Sequence, residues 1–348
     1  MALVLTETPD RAAWDAFVAA HPAGHLLQSW AWGELKGAFG WAPVRLAVVE
    51  GDRVRAAAQV LFRRRLGVAV AYVPRGPVVD WADEEAVAAL LAAARAAGRA
   101  RRAILLKVEP NLPDDPTLHA RLRALGFHPA AAVQPCHSVA IDVQADDEEL
   151  LARMKLKTRY NVRLAGRRGV TVRPAGGPED VALFYTMLQE TAQRHAFGIH
   201  TLDYYQAAHR LLNGDGRGVL LLAEREGQAL AGAWVSRCGP EAVNLYGASR
   251  QEGQKHRPTY LLHWEVLRWA REHGCTRYDM WGGIPAGVTA DDAAAAQEEA
   301  AEPGGLQGVA AFKLSFCGRL GRLTHTVGAY DLAYRPLLYR VYRRLLGG

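Results

Sequence analysis

The sequence predicts an α/β (α+β) chain made of two tandem copies of one sheet-and-helix domain. Three observations lead there. A length of 348 residues suits two domains of about 100–200 residues each. Half of the residues are hydrophobic and 22% are charged, which supplies apolar side chains for two cores. The order hairpin, strand, helix, strand is written twice at similar spacing: 63 residues separate Leu46 from Glu109, and 57 separate Leu222 from Asp279. A repeat this long is a duplicated domain and not a solenoid.

In the first copy, residues 10–20 and 28–38 read as helices. Val44–Glu50 and Arg55–Phe62 read as strands around Glu50-Gly51-Asp52, where glycine allows the tight turn. Val68–Val73 follows as a third strand. Glu84–Arg99 carries Ala, Leu and Val at helical spacing, and Ile104–Glu109 is a short apolar strand closed by Pro110. In the second copy, Asp180–His195 and Asp203–Leu212 read as helices, and Val219–Arg225 with Leu230–Arg237 as a hairpin around Glu226-Gly227. Ala242–Gly247 is a strand, Tyr260–His273 a helix and Arg277–Trp281 a strand. Residues 286–305 are small, acidic and unpatterned, a surface loop or a lid.

Between the copies, Asp146 to Gly169 reads as one helix. Asp146 with Glu149 resembles a capping box, and Gly169 is a natural stop. From Arg153 to Arg173 there are eight basic residues and no acidic one, which outweighs the net charge of +6. A solvated helix face would interleave glutamates. A polyanion, phosphate-rich RNA above all, explains the run better, and Lys155, Lys157, Arg159, Arg163, Arg167 and Arg168 are its candidate contacts.

Other chemistries are excluded. The four cysteines lie far apart with no metal-ligand spacing, so neither a disulfide framework nor a metal site is expected. No segment approaches the roughly 20 apolar residues of a membrane span, and the start lacks the basic, apolar pattern of a signal peptide, so a cytoplasmic protein is expected. There is no Gly-x-Ser-x-Gly, Walker loop or dinucleotide fingerprint.

The doubled pattern resembles two copies of the N-acetyltransferase (GNAT-like) fold. That family cradles the pyrophosphate of acyl-CoA in a glycine turn at the start of the helix after the central strand. The equivalent stretch here, Gln254-Lys-His-Arg-Pro-Thr-Tyr260, has Pro and Thr where the second glycine and small residue belong, which disfavours CoA.

Seven further stretches, in order along the chain, resemble the FemAB family of tRNA-dependent, peptidoglycan bridge-forming aminoacyltransferases. They are Gln28–Lys36, Tyr72–Pro77, Met154–Asn161, Leu245–Ser249, Tyr260–Glu265, Tyr278–Ile284, and Gly305-Leu306 followed by Phe312–Phe316. The resemblance implies transfer of glycine, alanine or serine from aminoacyl-tRNA, a co-substrate and the only cofactor-like requirement, to the side-chain amine of the stem-peptide diamino acid. The acceptor would be UDP-MurNAc-pentapeptide or a lipid-linked precursor. DNA is not a partner, membrane contact is peripheral at most, and the protein is a monomer.

It further implies two domains without the coiled-coil arm of some members: 1–144 with 325–348 for the precursor, and 145–324 for the aminoacyl-tRNA. Lys36, Arg75, Arg194 and Arg257 would face the precursor's phosphates, Tyr72, Tyr204, Tyr246 and Tyr260 its sugar or peptide, with Gly76 allowing close approach. Carried over, Phe312 and Lys313 would meet the tRNA end and the reacting ester. The alternatives at this point are an acyl-CoA-dependent N-acyltransferase of the same fold and a non-catalytic RNA-binding protein. Aminolysis of an activated ester needs a neutral amine, orientation and oxyanion stabilisation, not a covalent nucleophile.

Overall fold

The computed structural model describes residues 4–6, 9–65, 67–288, 305–317 and 321–346. Most of the 286–305 stretch therefore lies outside the described residues. The chain divides into two compact units, Met1–Cys136 with His325–Gly348, and His137–Thr324.

The first unit holds β1 (Val4–Thr6), β2 (Ala42–Glu50), β3 (Arg53–Arg65), β4 (Val68–Val73), β5 (Val78–Val79), β6 (Ala103–Val108) and β7 (His128–Ala130). Alternation along β2 and β3 puts Leu46, Val48, Ala58 and Val60 into one core. After β4 the chain crosses through the helix Glu84–Ala100, whose Ala86, Val87, Leu90, Leu91, Ala94 and Ala97 are buried, and returns as β6 parallel to β4. Asp83 caps that helix, accepting from Ala86 N at 3.1 Å. The order is β1-β2-β3-β4-β6-β15-β7, where β15 is Ala329–Ala333.

The second unit repeats the plan. It contains β8 (His137–Asp142), β9 (Thr171–Pro174), β10 (Gly218–Arg225), β11 (Gln228–Cys238), β12 (Glu241–Ser249), β13 (Arg277–Asp279) and β14 (Gly321–His325). The order is β14-β8-β13-β12-β11-β10-β9, with β12 and β13 parallel across the helix Pro258–Glu272. The helices Pro178–His195 and Leu202–Leu212 bury Val181, Phe184, Met187, Tyr204 and Tyr205, so they belong to this unit's core and form no projecting arm.

The two sheets are built alike near one edge, where the last strand but one is reached by crossing from the other repeat. After β7 the chain enters the second sheet as β8, antiparallel to β13; after β14 it enters the first sheet as β15, antiparallel to β6. The seam accordingly lies between Cys136 and His137 and not after residue 144, because β8 is hydrogen-bonded to β13.

Three local differences from the sequence reading have physical causes. The 28–38 helix starts at Trp30, since Leu26–Gln28 is a 3₁₀ turn and Ser29 accepts from Trp32 N at 3.3 Å. The strand read as 277–281 stops at Asp279, because Trp281, Gly282 and Gly283 all have positive φ. The single basic helix is two, Asp147–Arg153 and Leu156–Arg167, separated by extended backbone at Met154 (ψ 152°). Both termini follow the sequence: Asp146 accepts from Glu149 N at 2.8 Å, and Gly169 has φ +76°.

Gly98 offers a test of the first core. Glycine inside a helix is usually worse than alanine by about 1 kcal/mol. Here a Cβ would lie 2.3 Å from the Tyr334 ring, which is anchored by its hydroxyl to Ala94 O at 3.1 Å just after β15. Gly98→Ala should therefore lower the urea midpoint, by about 1–3 kcal/mol of overpacking; a raised midpoint would show that Tyr334 does not hold β15 in place.

Candidate functional site

In the second unit the candidate site is built around the turn that follows β13. Asp279 accepts from Trp281 N at 2.7 Å and from the Ser138 hydroxyl; Ser138 Oγ in turn accepts from Gly282 N at 3.2 Å. These bonds fold the chain through its three positive-φ residues, and the turn's carbonyls then point one way. Lys313, on the helix Gly305–Cys317, donates to Met280 O at 2.6 Å, Trp281 O at 2.8 Å and Gly282 O at 2.9 Å. All three N–H bonds of one ammonium are thereby used, on a side chain only 8% exposed.

Burial pulls Lys313 down to about 8, with Asp279 pulling the other way. A neutral amine has two N–H bonds for three carbonyls, so the turn favours the charged form. At pH 7 Lys313 is an ammonium that braces the turn. The sequence placed Lys313 at the ester or the terminal phosphate–ribose; in the structure its donors are committed to the backbone.

Phe312, next in the same helix, is half-buried. It meets Tyr260 edge-on at 5.1 Å, and Tyr260 stacks on Phe316 at 5.8 Å. His263 lies beneath, 5.2 Å from Phe312 and with Nδ1 2.9 Å from the Tyr278 hydroxyl. Burial, then the nearby Lys313, pushes His263 down to about 3, so it is neutral and poorly suited to take a proton. Sequence reasoning missed His263 and Ser138, because neither has a local signal; their partners are distant in the chain.

The basic helix is tied to this site. Thr158, buried, donates to Ser315 O at 2.8 Å. Lys157, Arg163, Arg167 and Arg168 are exposed, Lys155 and Arg159 half-buried, and Tyr160 is 55% exposed with Arg167 5.7 Å from its ring. The ends of the basic run are neutralised: Arg153 pairs with Glu149, and Arg173 with Asp180 at 2.6 Å and Glu224 at 2.8 Å. Arg159 and Arg163 share a depression with Asp146, Glu148 and Glu149, which offsets part of their charge. Arg167 and Arg168 instead open on a depression of about 450 Å³ with Arg225, Lys255 and His256, against one acid, Glu226. Desolvation, then Arg225, Lys255 and Arg168, shifts His256 downward, with Glu226 opposing. The joining of Arg225 and Lys255 to Arg167 and Arg168 was invisible in sequence because the three stretches, a helix end, a strand end and a 3₁₀ turn, are far apart in the chain.

The remaining second-unit candidates separate. Tyr204 is 1% exposed, stacked on His200 at 3.8 Å, with no face left for a substrate. Tyr246 is half-buried; its hydroxyl donates to Tyr204 at 3.4 Å and its ring meets Tyr205 edge-on at 5.1 Å. Arg194 donates to Ser249 O at 3.1 Å. Arg257, half-buried with φ +59°, ends a 3₁₀ turn at the start of the Pro258–Glu272 helix. Pro258 has no N–H to offer there, so an acyl-CoA pyrophosphate would find a depleted cradle.

In the first unit, Lys36 lies 4.7 Å from the Trp32 ring. Burial, and then Arg63, pulls it down to about 8. Arg63 sits 5.4 Å from the Trp41 ring, which is 6.2 Å from that of Tyr72. Arg63, a like-charged neighbour of Lys36, was lost in the sequence inside the Arg63-Arg64-Arg65 run. Tyr72 donates to Glu109 and accepts from Gln134 Nε2 at 2.9 Å. Burial foremost, then Glu109, keeps its hydroxyl protonated.

Arg75 is 4% exposed and donates to Pro135 O at 2.6 Å and Thr326 Oγ1 at 3.1 Å, so it joins two stretches of backbone. Gly76 leaves no room for a side chain: a Cβ would come within 2.7 Å of Gln28, whose amide donates to Pro74 O at 2.6 Å. Arg75 and Gly76 are thus parts of a rigid turn.

A model of the FemAB family matches residues 10–224 and 220–346. The chain belongs to the FemAB family. It is 28% identical to the lipid II:glycine glycyltransferase of Staphylococcus aureus, over 77% of this chain and 82% of that one. A crystal structure of FemX superposes with a TM-score of 0.84 at 25% identity, covering 98% of this chain and 99% of FemX. A tandem GNAT protein from the clavulanic acid biosynthesis pathway shares the fold, with a TM-score of 0.56 at 16% identity over 95% and 98% of the two chains. This FemAB protein is thus an acyltransferase in which the Phe312-Lys313 helix abuts the turn after β13.

Lys313→Met distinguishes a brace from a pure substrate contact. The brace predicts a fall in transfer of at least 100-fold together with a stability loss of about 2 kcal/mol or more, since buried carbonyls lose their donors. A lysine that only touched substrate would lose activity with an unchanged urea midpoint. The wild-type ε-amine should titrate near 8 by ¹⁵N NMR, with transfer falling above that pH as one carbonyl loses its donor.

Proposed function

We propose that this FemAB protein transfers a small amino acid, glycine, alanine or serine, from aminoacyl-tRNA to the side-chain amine of the diamino acid in a peptidoglycan stem peptide. The acceptor is lipid-linked, as the name of the staphylococcal relative suggests. The observation that carries the tRNA part is the exposed basic face around Arg167 and Arg168, docked through Thr158 onto the Lys313 helix. Neutralising phosphates is what such a face does best.

In the reaction the acceptor nitrogen attacks the ester carbonyl, a C–N amide bond forms, and the ester C–O bond breaks. The tRNA hydroxyl leaves with a proton, and the amine gives one up to solvent. No side chain need become acylated. The half-buried faces of Phe312 and Tyr260 would receive the terminal base, and Lys157, Arg163, Arg167 and Arg168 the acceptor-stem phosphates. Lys313 would fix the turn beside them and lend its charge to the developing oxyanion from behind. In the first unit, Lys36 and Arg63 would take the precursor diphosphate beside Tyr72 and Trp41.

Purified protein offered charged tRNA with each amino acid labelled in turn, and lysine-, ornithine- or diaminopimelate-containing precursors, should place RNase-sensitive label on one precursor. Label from acetyl-CoA alone would make it an acyl-CoA N-acyltransferase. No transfer from either donor, with salt-sensitive RNA binding, would make it a binding protein.

Lys36→Met should raise KM for the precursor about tenfold or more, the loss of one charge-assisted hydrogen bond. KM for aminoacyl-tRNA should stay within twofold. Equal changes in both would remove Lys36 from the precursor site.

A further inference from the structure

The helix Pro336–Leu346 follows β15 and uses only one side on its own unit. Tyr339, 7% exposed, and half-buried Tyr342 pack with Ile104, Leu105, Val68 and Val70, and the Tyr339 hydroxyl donates to Asp331 at 3.1 Å. Beside that side lies an apolar row in water: Leu337 is 76% exposed, Val341 53% and Leu338 42%. Leu337 and Val341 stand one helical turn apart, and so do Arg340 and Arg344 in the adjoining row. Arg335 and Arg343 are exposed too, and residues 335–346 include no acidic side chain.

Three large aliphatic side chains together on eleven residues are a patch and not scattered exposure. Burying each completely is worth about 1.5–3 kcal/mol. The charges beside the patch select its occupant. In a symmetric pair of copies the arginine row would face arginines, and an apolar protein groove would leave them without counter-charge. An anionic bilayer surface offers an apolar boundary and negative headgroups at the right depth for both rows.

We propose that this face of the Pro336–Leu346 helix docks the protein in the headgroup region of anionic phospholipid membranes, with Leu337, Leu338 and Val341 inserted and Arg340 and Arg344 at the phosphates. Among the described residues no helix is long and apolar enough to cross a membrane, so the contact is reversible and lies in the interface. It stands on the helix alone; if the acceptor is lipid-linked, the same contact holds the enzyme where that acceptor lies.

The test is sedimentation of the full-length protein with substrate-free vesicles of phosphatidylglycerol and phosphatidylcholine, against phosphatidylcholine alone. Wild type should pellet with the anionic vesicles. Leu337→Asn with Val341→Asn should cut the bound fraction at least tenfold, and Arg340→Gln with Arg344→Gln should lower it to the level seen with phosphatidylcholine, both with unchanged thermal midpoints. Wild type left in the supernatant would overturn the proposal, and so would undiminished binding of the aliphatic variant. A dimer in sedimentation equilibrium that this variant abolishes would assign the face to a second copy instead. Because no donor or acceptor is present, failure here is distinct from failure of the transfer reaction.

Discussion

The rest of the structure depends on the reciprocal placement of β8 and β15. Each sheet has, one place in from an edge, an antiparallel strand reached by crossing from the other repeat. The first sheet is complete only when β15 returns between β6 and β7, whereas the second is built from the continuous stretch β8 to β14. The first unit secures the crossings with polar contacts. Thr326 N donates to Cys136 O at 2.9 Å, Val327 N to Leu112 O at 3.0 Å, and Arg75 ties Pro135 to Thr326. A guanidinium buried against backbone carbonyl and hydroxyl acceptors is costly to leave unpaired. Arg75 is therefore informative about architecture before it is informative about substrate.

The same exchange builds the candidate site. Ser138 rides on β8, the strand that arrives from the first repeat, and organises the turn after β13 by bonding Asp279 and Gly282. Met280 N donates to Val139 O at 2.9 Å on the same strand. Only a turn held in this way can point three consecutive carbonyls at one ammonium, and three backbone residues at positive φ make it possible. Lys313 is thus bound to the fold through three backbone carbonyls, so a change there is expected to move stability along with any activity.

What could be read from the sequence was local. The hairpins at Gly51 and Gly227, the crossover helices and the caps at Asp146 and Gly169 each announce themselves within a few residues. What could not be read was non-local. β8 and β15 are six and five residues long, and nothing local in His137–Asp142 or Ala329–Ala333 says which sheet they join. The return of 325–348 to the first domain comes from the family resemblance, and that reading places β8 there too, whereas β8 belongs to the second unit. The candidate residues divide likewise: residue types were legible in Phe312-Lys313 and in the basic run, but roles were not. Tyr204, expected against sugar or peptide, is core, while Arg63 and Lys255, not singled out in the sequence, have other cations as neighbours. Type follows from sequence; partnership follows from topology.

The distribution of charge separates three duties that a net charge of +6 conceals. Lys36 is a largely desolvated cation with Arg63 as a like-charged neighbour, the setting proposed above for the precursor diphosphate. Arg167, Arg168, Arg225 and Lys255 form an open, solvated field suited to a long polyanion and to fast, salt-sensitive association. Lys313 is the inverse of both, a single charge almost without solvent and satisfied by dipoles. A charge of that kind cannot capture a substrate from solution, but it holds its surroundings rigid and polarised before the substrate comes. The ester aminolysis proposed for this protein would ask for that preorganisation more than for a covalent nucleophile.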